Sequence, residues 1–136
     1  MNISKNGLNN LIQREGSKNF AYKDTKGIWT IGVGHTGPEV VAGLRWTQAQ
    51  IDAALTKDVK WAEDAVNAVD SPLSQNQFDA LVSFVFNIGA PAFYNSTIRK
   101  LLNKGEYELA AKQFNRWVIP KEITARRMSE KEQFLS

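Results

Sequence analysis

Cysteine is absent from the chain. No disulfide framework and no thiolate metal site supports the fold, so packing must do it alone. At 136 residues it can, since a chain of that length buries roughly two-thirds of its unfolded surface. Histidine occurs once, at His35, with no cluster of carboxylates at ligand spacing, so neither a metal nor any other cofactor is expected. No apolar run approaches the ~20 residues of a membrane span, and the opening MNISKNGLNNLIQREG lacks the apolar core of a secretory signal peptide. A strong excess of one charge is also missing. The 17 basic and 14 acidic residues leave +3, too mild for a nucleic-acid partner. The main local excess, Lys121, Arg126, Arg127 and Lys131, is offset by Glu122, Glu130 and Glu132 and is expected to be a solvated helix face. Repeats, low-complexity stretches and phosphate loops are absent, and Gly32-Val33-Gly34 lacks the rest of a dinucleotide fingerprint.

What the chain does have is helical periodicity with punctuation. Ser4 is placed to cap a first helix whose Leu8, Leu11 and Ile12 share a face, and Gly16 to end it. Two extended pieces follow, at 20–23 and 28–33, joined by the turn chemistry of Asp24-Thr25-Lys26-Gly27. Thr47 and Gln50 form a capping box. Ile51, Leu55, Val59, Ala62, Val66 and Val69 then recur at helical spacing, predicting one helix over 48–69, roughly 33 Å long. Ser74 and Gln77 open a second helix by the same device, apolar nearly all round from Phe78 to Ile88 and therefore central and buried. Shorter helices are predicted over 97–104, 106–116 and after Pro120. The class is α+β, mainly α. It forms a single domain over residues 1–136, with a small N-terminal hairpin lobe joined by the long helix to a helical C-terminal lobe around a cleft.

Few residues here can carry chemistry. Glu15 falls in the last turn of the first helix, where a negative charge meets the negative end of the helix dipole. It is either a solvated charge beside Arg14 or a general acid, which benefits from an environment unfriendly to its ionised form. Asp24 opens a tight turn, a common structural use of aspartate, yet it would also serve as an ionised second carboxylate. Thr30 has a hydroxyl that donates and accepts, and strand parity lets it face a cleft or pack inward. His35 is either a structural hydrogen-bonding residue at the hairpin exit or a group that titrates near neutrality and touches an acid.

Taken together these residues say more. Glu15, eight residues, Asp24, five residues and Thr30, embedded in DTKGIWTIGVGHTG, resemble the catalytic segment of phage-type lysozymes, the endolysins of glycoside hydrolase family twenty-four. FVFNIGAPAFYNSTIRKLLN is similar to a second signature of that family. AAKQFNRWV resembles its late tryptophan-bearing helix, and Arg126-Arg127 with Phe134-Leu135 its usual ending. The likeness departs at Val118–Ile123, which is short and lacks the glycine the family often places there.

The resemblance implies a lysozyme-like fold and hydrolysis of the β-1,4 bond between N-acetylmuramic acid and N-acetylglucosamine in bacterial peptidoglycan. It implies Glu15 as the acid, and Asp24 with Thr30 holding a water for inverting attack. Asn87, Asn95 and His35 are implied to contact substrate. It also implies a monomer that waits in the host cytoplasm and reaches the wall once a holin permeabilises the membrane. The competing functions are a lytic transglycosylase, for which one acid suffices, and a non-catalytic peptidoglycan-binding module.

Overall fold

The computed structural model describes residues 1–136. In chain order the elements are α1 (Lys5–Glu15), β1 (Lys18–Lys23), β2 (Trp29–Gly32), α2 (Gln48–Asp58), α3 (Lys60–Asn67), α4 (Gln75–Ile88), α5 (Ala90–Tyr94), α6 (Thr97–Asn103), α7 (Tyr107–Gln113) and α8 (Thr124–Leu135). Single 3-10 turns lie at Phe114–Arg116 and Lys121–Ile123. Helix dominates and the one sheet has two strands, as the α+β class requires. No helix is long and apolar enough to cross a membrane. Two compact units emerge: Asn9–Lys60, and Met1–Leu8 with Trp61–Ser136.

In the unit Asn9–Lys60, α1 ends where expected. Gly16 takes φ 78°, a conformation costly for any residue with a Cβ, and its N–H still bonds the Ile12 carbonyl at 2.8 Å. Strands β1 and β2 pair antiparallel with Tyr22 opposite Thr30 and Lys23 opposite Trp29, and the register slips between Lys18 and Tyr22. The second edge of β1 is covered by the loop 44–46. The Ala21 N–H donates to the Leu44 carbonyl at 2.9 Å, and the Trp46 N–H to the Asn19 carbonyl at 2.8 Å. Gly32 has φ 64°, and this backbone angle calls for glycine, although a Cβ there would make only ordinary contact, 3.4 Å from the Trp46 ring. The predicted capping box at Thr47 forms with both bonds.

The predicted single helix over 48–69 is instead two, α2 and α3, broken at Val59 and ending at Asn67. Val59 keeps its N–H bond to Leu55, but its ψ of −8° is opened well away from the helical value. No proline or glycine marks the spot. Val59 is buried, so its side chain obeys the helical stripe while the backbone turns. Periodicity was therefore blind to the break.

In the unit formed by Met1–Leu8 with Trp61–Ser136, α4 is the centre. Every residue from Phe78 to Val85 is buried, and α8 packs along it. Phe84 meets Phe114 edge-on at 5.1 Å and Trp117 at 5.5 Å, while Phe114 meets Phe134 at 5.7 Å. Each such side chain contributes about 1.5–3 kcal/mol by leaving water. Gly89 (φ 92°) stops α4, and Pro91 then sits in the first turn of the short α5, where a missing N–H costs nothing.

The basic cluster in α8 is a correction. Expected as a solvated face, it contains Arg127 at 0 % exposure beside Glu130, also 0 %. Burial is tolerable because every guanidinium nitrogen is satisfied. Nε donates to the Trp117 carbonyl at 2.7 Å, Nη1 to Glu130, and Nη2 to Asn87 Oδ1 at 2.5 Å. Arg126 Nε also meets Glu130 at 3.2 Å, and Ser83 Oγ donates to the same carboxylate at 2.5 Å.

A second buried acid ties down the N-terminal segment. Asp79 (1 % exposed) accepts from the Ser4 N–H at 3.0 Å, from the Ser4 hydroxyl and from Gln75 Nε2 at 2.8 Å, while Ser4 Oγ caps α1 through the Gly7 N–H at 3.0 Å. Gly7 is pressed against this cluster. A Cβ there would lie 2.5 Å from the Asp79 carboxyl carbon and 2.7 Å from Ile3. Helix propensity alone favours alanine by about 1 kcal/mol. Overpacking against a carboxylate held by three bonds costs about 1–3 kcal/mol, so the clash outweighs propensity. Gly7→Ala should therefore lower the urea midpoint, and a raised midpoint would show that the segment yields freely.

Candidate functional site

The turn between β1 and β2 is built around one oxygen. Asp24 Oδ1 accepts the Lys26 N–H at 2.8 Å and the Ile28 N–H at 2.9 Å. The Gly27 N–H returns to the Asp24 carbonyl at 3.0 Å, with Gly27 at φ 79°. This is the turn-forming use of aspartate anticipated from sequence. It consumes only half the carboxylate, because Oδ2 makes no bond within the protein. The side chain is half-buried, so the second oxygen is held rigidly without being sealed off.

Thr30 is joined to Asp24 through a residue that sequence reasoning passed over. The Ile28 carbonyl accepts both the Asp24 N–H and the Thr30 hydroxyl, each at 2.9 Å. The N–H and C=O of Ile28 thus link the two side chains, although the Ile28 side chain is 47 % exposed and touches neither role. Since the Thr30 hydrogen is committed to that carbonyl, Oγ1 is left as an acceptor. Thr30 is 4 % exposed, nearly as shielded as its strand neighbour Ile31 at 0 %. Glu15 closes α1 in the same unit and is half-buried.

The remaining candidates lie elsewhere. Asn87 lies in the last turn of α4 as an exposed residue, with Oδ1 bound by Arg127. Asn95 follows α5, also exposed, and donates from Nδ2 to the Pro91 carbonyl at 3.1 Å. Both belong to the other unit. No group of His, Asp and Glu side chains is arranged to hold a metal ion.

His35 sits between two carboxylates. Nδ1 meets Asp58 and Nε2 meets Glu39, each at 2.7 Å, so both ring nitrogens are engaged. The ring leans on Trp46, 5.2 Å between centroids, and with Asp58 lines a pocket of about 300 Å³ that neither Asp24 nor Thr30 borders. Burial opposes its charged form, but the bonds to Glu39 and Asp58 outweigh it and hold the imidazole above its usual 6.5. The bond from His35 in turn holds Glu39 below its usual 4.5. Linkage then sets a window. Stability from the raised histidine is complete below 6.5 and is lost as pH rises through its folded value; stability from the lowered glutamate is present above 4.5 and is lost as pH falls through its own. The melting-temperature gap between wild type and His35→Ala should be widest between pH 4.5 and 6.5 and shrink on both sides. A gap independent of pH would contradict the ion-paired arrangement.

Comparison with known proteins sets this geometry in a lineage. A family profile described as Phage lysozyme matches residues 12–130. The endolysin of Salmonella phage P22 is 43 % identical over 145 aligned positions that cover 100 % of this chain and 99 % of the relative. A solved P22 lysozyme point mutant superposes with a TM-score of 0.94 at 41 % identity, covering 100 % and 99 % of the two chains. The muramidase domain of SpmX from Asticaccaulis excentricus superposes with a TM-score of 0.91 at 38 % identity, covering 98 % and 97 %. With likeness this complete in sequence and in fold, the chain belongs to the phage lysozyme family and is a lysozyme-type glycosidase of the endolysin kind.

Proposed function

We propose that the chain is an inverting muramidase that hydrolyses the β-1,4 bond between N-acetylmuramic acid and N-acetylglucosamine in peptidoglycan. The observation that carries it is the divided carboxylate of Asp24. One oxygen is pinned by two backbone amides and the other is left over, while the Thr30 hydroxyl is committed to the same backbone hub. Such a pair suits gripping a water. Asp24 Oδ2 accepts one of its hydrogens and Thr30 Oγ1 the other, aiming the water oxygen at the anomeric carbon. As that oxygen bonds the carbon, the bond to the leaving sugar oxygen breaks, Glu15 delivers its proton to the departing oxygen, and Asp24 takes the proton from the water. One structural relative, from Asticaccaulis excentricus, is a muramidase domain, which agrees with the choice of bond.

The setting we attach to this chemistry is that of an endolysin. The chain acts as a monomer, accumulates in the host cytoplasm and meets the wall after a holin opens the membrane. A lytic transglycosylase would need the acid but neither Asp24 nor Thr30, and a binding module would need none of the three.

Two substitutions separate these functions. Glu15→Gln should lower wall hydrolysis by about 10²–10⁴-fold while wall binding persists, since only the proton donor is lost. Asp24→Asn should lower it comparably yet still fold. Asparagine keeps an oxygen for the Lys26 and Ile28 amides, so weakening two charge-assisted bonds costs only about 1–2 kcal/mol. Turnover assays with unfolding curves check both variants. Lysis unchanged in Glu15→Gln, or anhydro-muramyl ends in the wild-type digest, would overturn the proposal.

A further inference from the structure

We infer that Tyr22 is a further substrate-contacting residue, an aromatic platform for the wall sugar on the Thr30 face of the hairpin, and that Lys18 is the positioning residue that holds its ring. That the ligand is a wall sugar rests on the muramidase proposal; the arrangement of the rings does not. Register brings the pieces together. Tyr22 of β1 stands directly opposite Thr30 of β2, and opposite residues of an antiparallel pair carry their side chains on the same face. The next pair, Lys23 and Trp29, takes the other face, where the Lys23 ammonium lies 5.4 Å from the centre of the Trp29 ring. The hairpin therefore sorts its aromatic rings between two faces, and Tyr22 goes with the hydroxyl assigned to the water.

Lys18 reaches the Tyr22 face despite the slip in register. Its ammonium lies 5.3 Å from the centre of the Tyr22 ring and 5.6 Å from that of Phe20, so one cation steadies both rings. Phe20 is 47 % exposed and Tyr22 is half-buried, which leaves the strip oriented yet uncovered. The sugar whose anomeric carbon receives the water held by Thr30 has to lie over Thr30. Opposite side chains start about 5 Å apart, so the Tyr22 ring is within that sugar's reach. A pyranose offers an apolar face of C–H groups, which an aromatic ring takes while the hydroxyls at the sugar's rim stay in water. Ring and hydroxyl on one face then set the distance from water to carbon before reaction.

The test compares wild type with Tyr22→Ala, Tyr22→Phe, Lys18→Met and Lys18→Arg on purified peptidoglycan. Tyr22→Ala should lower kcat/KM by about tenfold or more, mainly through KM, and Tyr22→Phe, which keeps the ring, should recover most of that loss. Lys18→Met, which keeps the stem and loses the charge, should raise KM by about two- to fivefold, and Lys18→Arg should restore it. Should Tyr22→Ala not fold, NMR titration of wild type with the disaccharide N-acetylglucosaminyl-N-acetylmuramic acid decides. The Tyr22 ring protons should shift and those of Trp29, on the opposite face, should stay. A wild-type KM in Tyr22→Ala, a Tyr22→Phe as impaired as Tyr22→Ala, or Tyr22 signals that ignore the disaccharide would each overturn the platform. An unchanged KM in Lys18→Met would overturn the role given to Lys18. A wild type that cleaves no wall would instead remove the hydrolase proposal, and the titration would still judge the platform.

Discussion

The two backbone groups of Ile28 hold the front of this molecule together. Its N–H ends on Asp24 Oδ1, and its carbonyl receives both the Asp24 N–H and the Thr30 hydroxyl. A hairpin of two short strands is marginal by itself, since ordering each residue costs about 1–2 kcal/mol. Hydrogen bonds to a charged oxygen contribute about 1.5–3 kcal/mol each, enough to hold the four-residue turn in one shape. The same bonds place the leftover carboxylate oxygen and the leftover threonine lone pairs. Structure and chemistry are therefore not alternatives at Asp24. One oxygen makes the turn and the other is presented by it.

The unit built on α4 follows a related plan with the signs exchanged. Arg127 is buried with all its donors satisfied, and one of them holds an exposed side chain by its oxygen. In both places a strong, oriented, charge-assisted bond is made on one side of a polar group so that its other side is defined. The cost of burying charge is offset locally. Glu130 lies between Arg126 and Arg127 and takes the Ser83 hydroxyl as well, leaving no lone member of the cluster unsupported.

Much of this could be read from the sequence, for reasons that are local. Thr47 with Gln50 and Ser74 with Gln77 announce helix starts because a cap is made by residues three apart. Gly16 announces an end because few other residues take its angle. The turn at Asp24 and the buried α4 were legible in the same way. What escaped depends on distant partners or on backbone atoms common to every residue. The Val59 break carries no breaker residue. Arg127 looked solvated because its partners Asn87 and Trp117 are 40 and 10 positions away. Ile28 was invisible because an exposed aliphatic side chain gives no hint of what its amide and carbonyl do. Thr30 had its spacing noted, but only the bond to Ile28 shows which part of the hydroxyl remains for use.

The central claim is that the leftover Asp24 oxygen and Thr30 direct a water and not a covalent bond. The stereochemistry of the newly formed sugar end tests this most directly. Proton NMR of the first product released from a soluble β-linked wall oligosaccharide, recorded before mutarotation, distinguishes the two courses. Direct attack by water predicts the α anomer. A β anomer would mean that the enzyme passes through a glycosyl intermediate and would contradict the account.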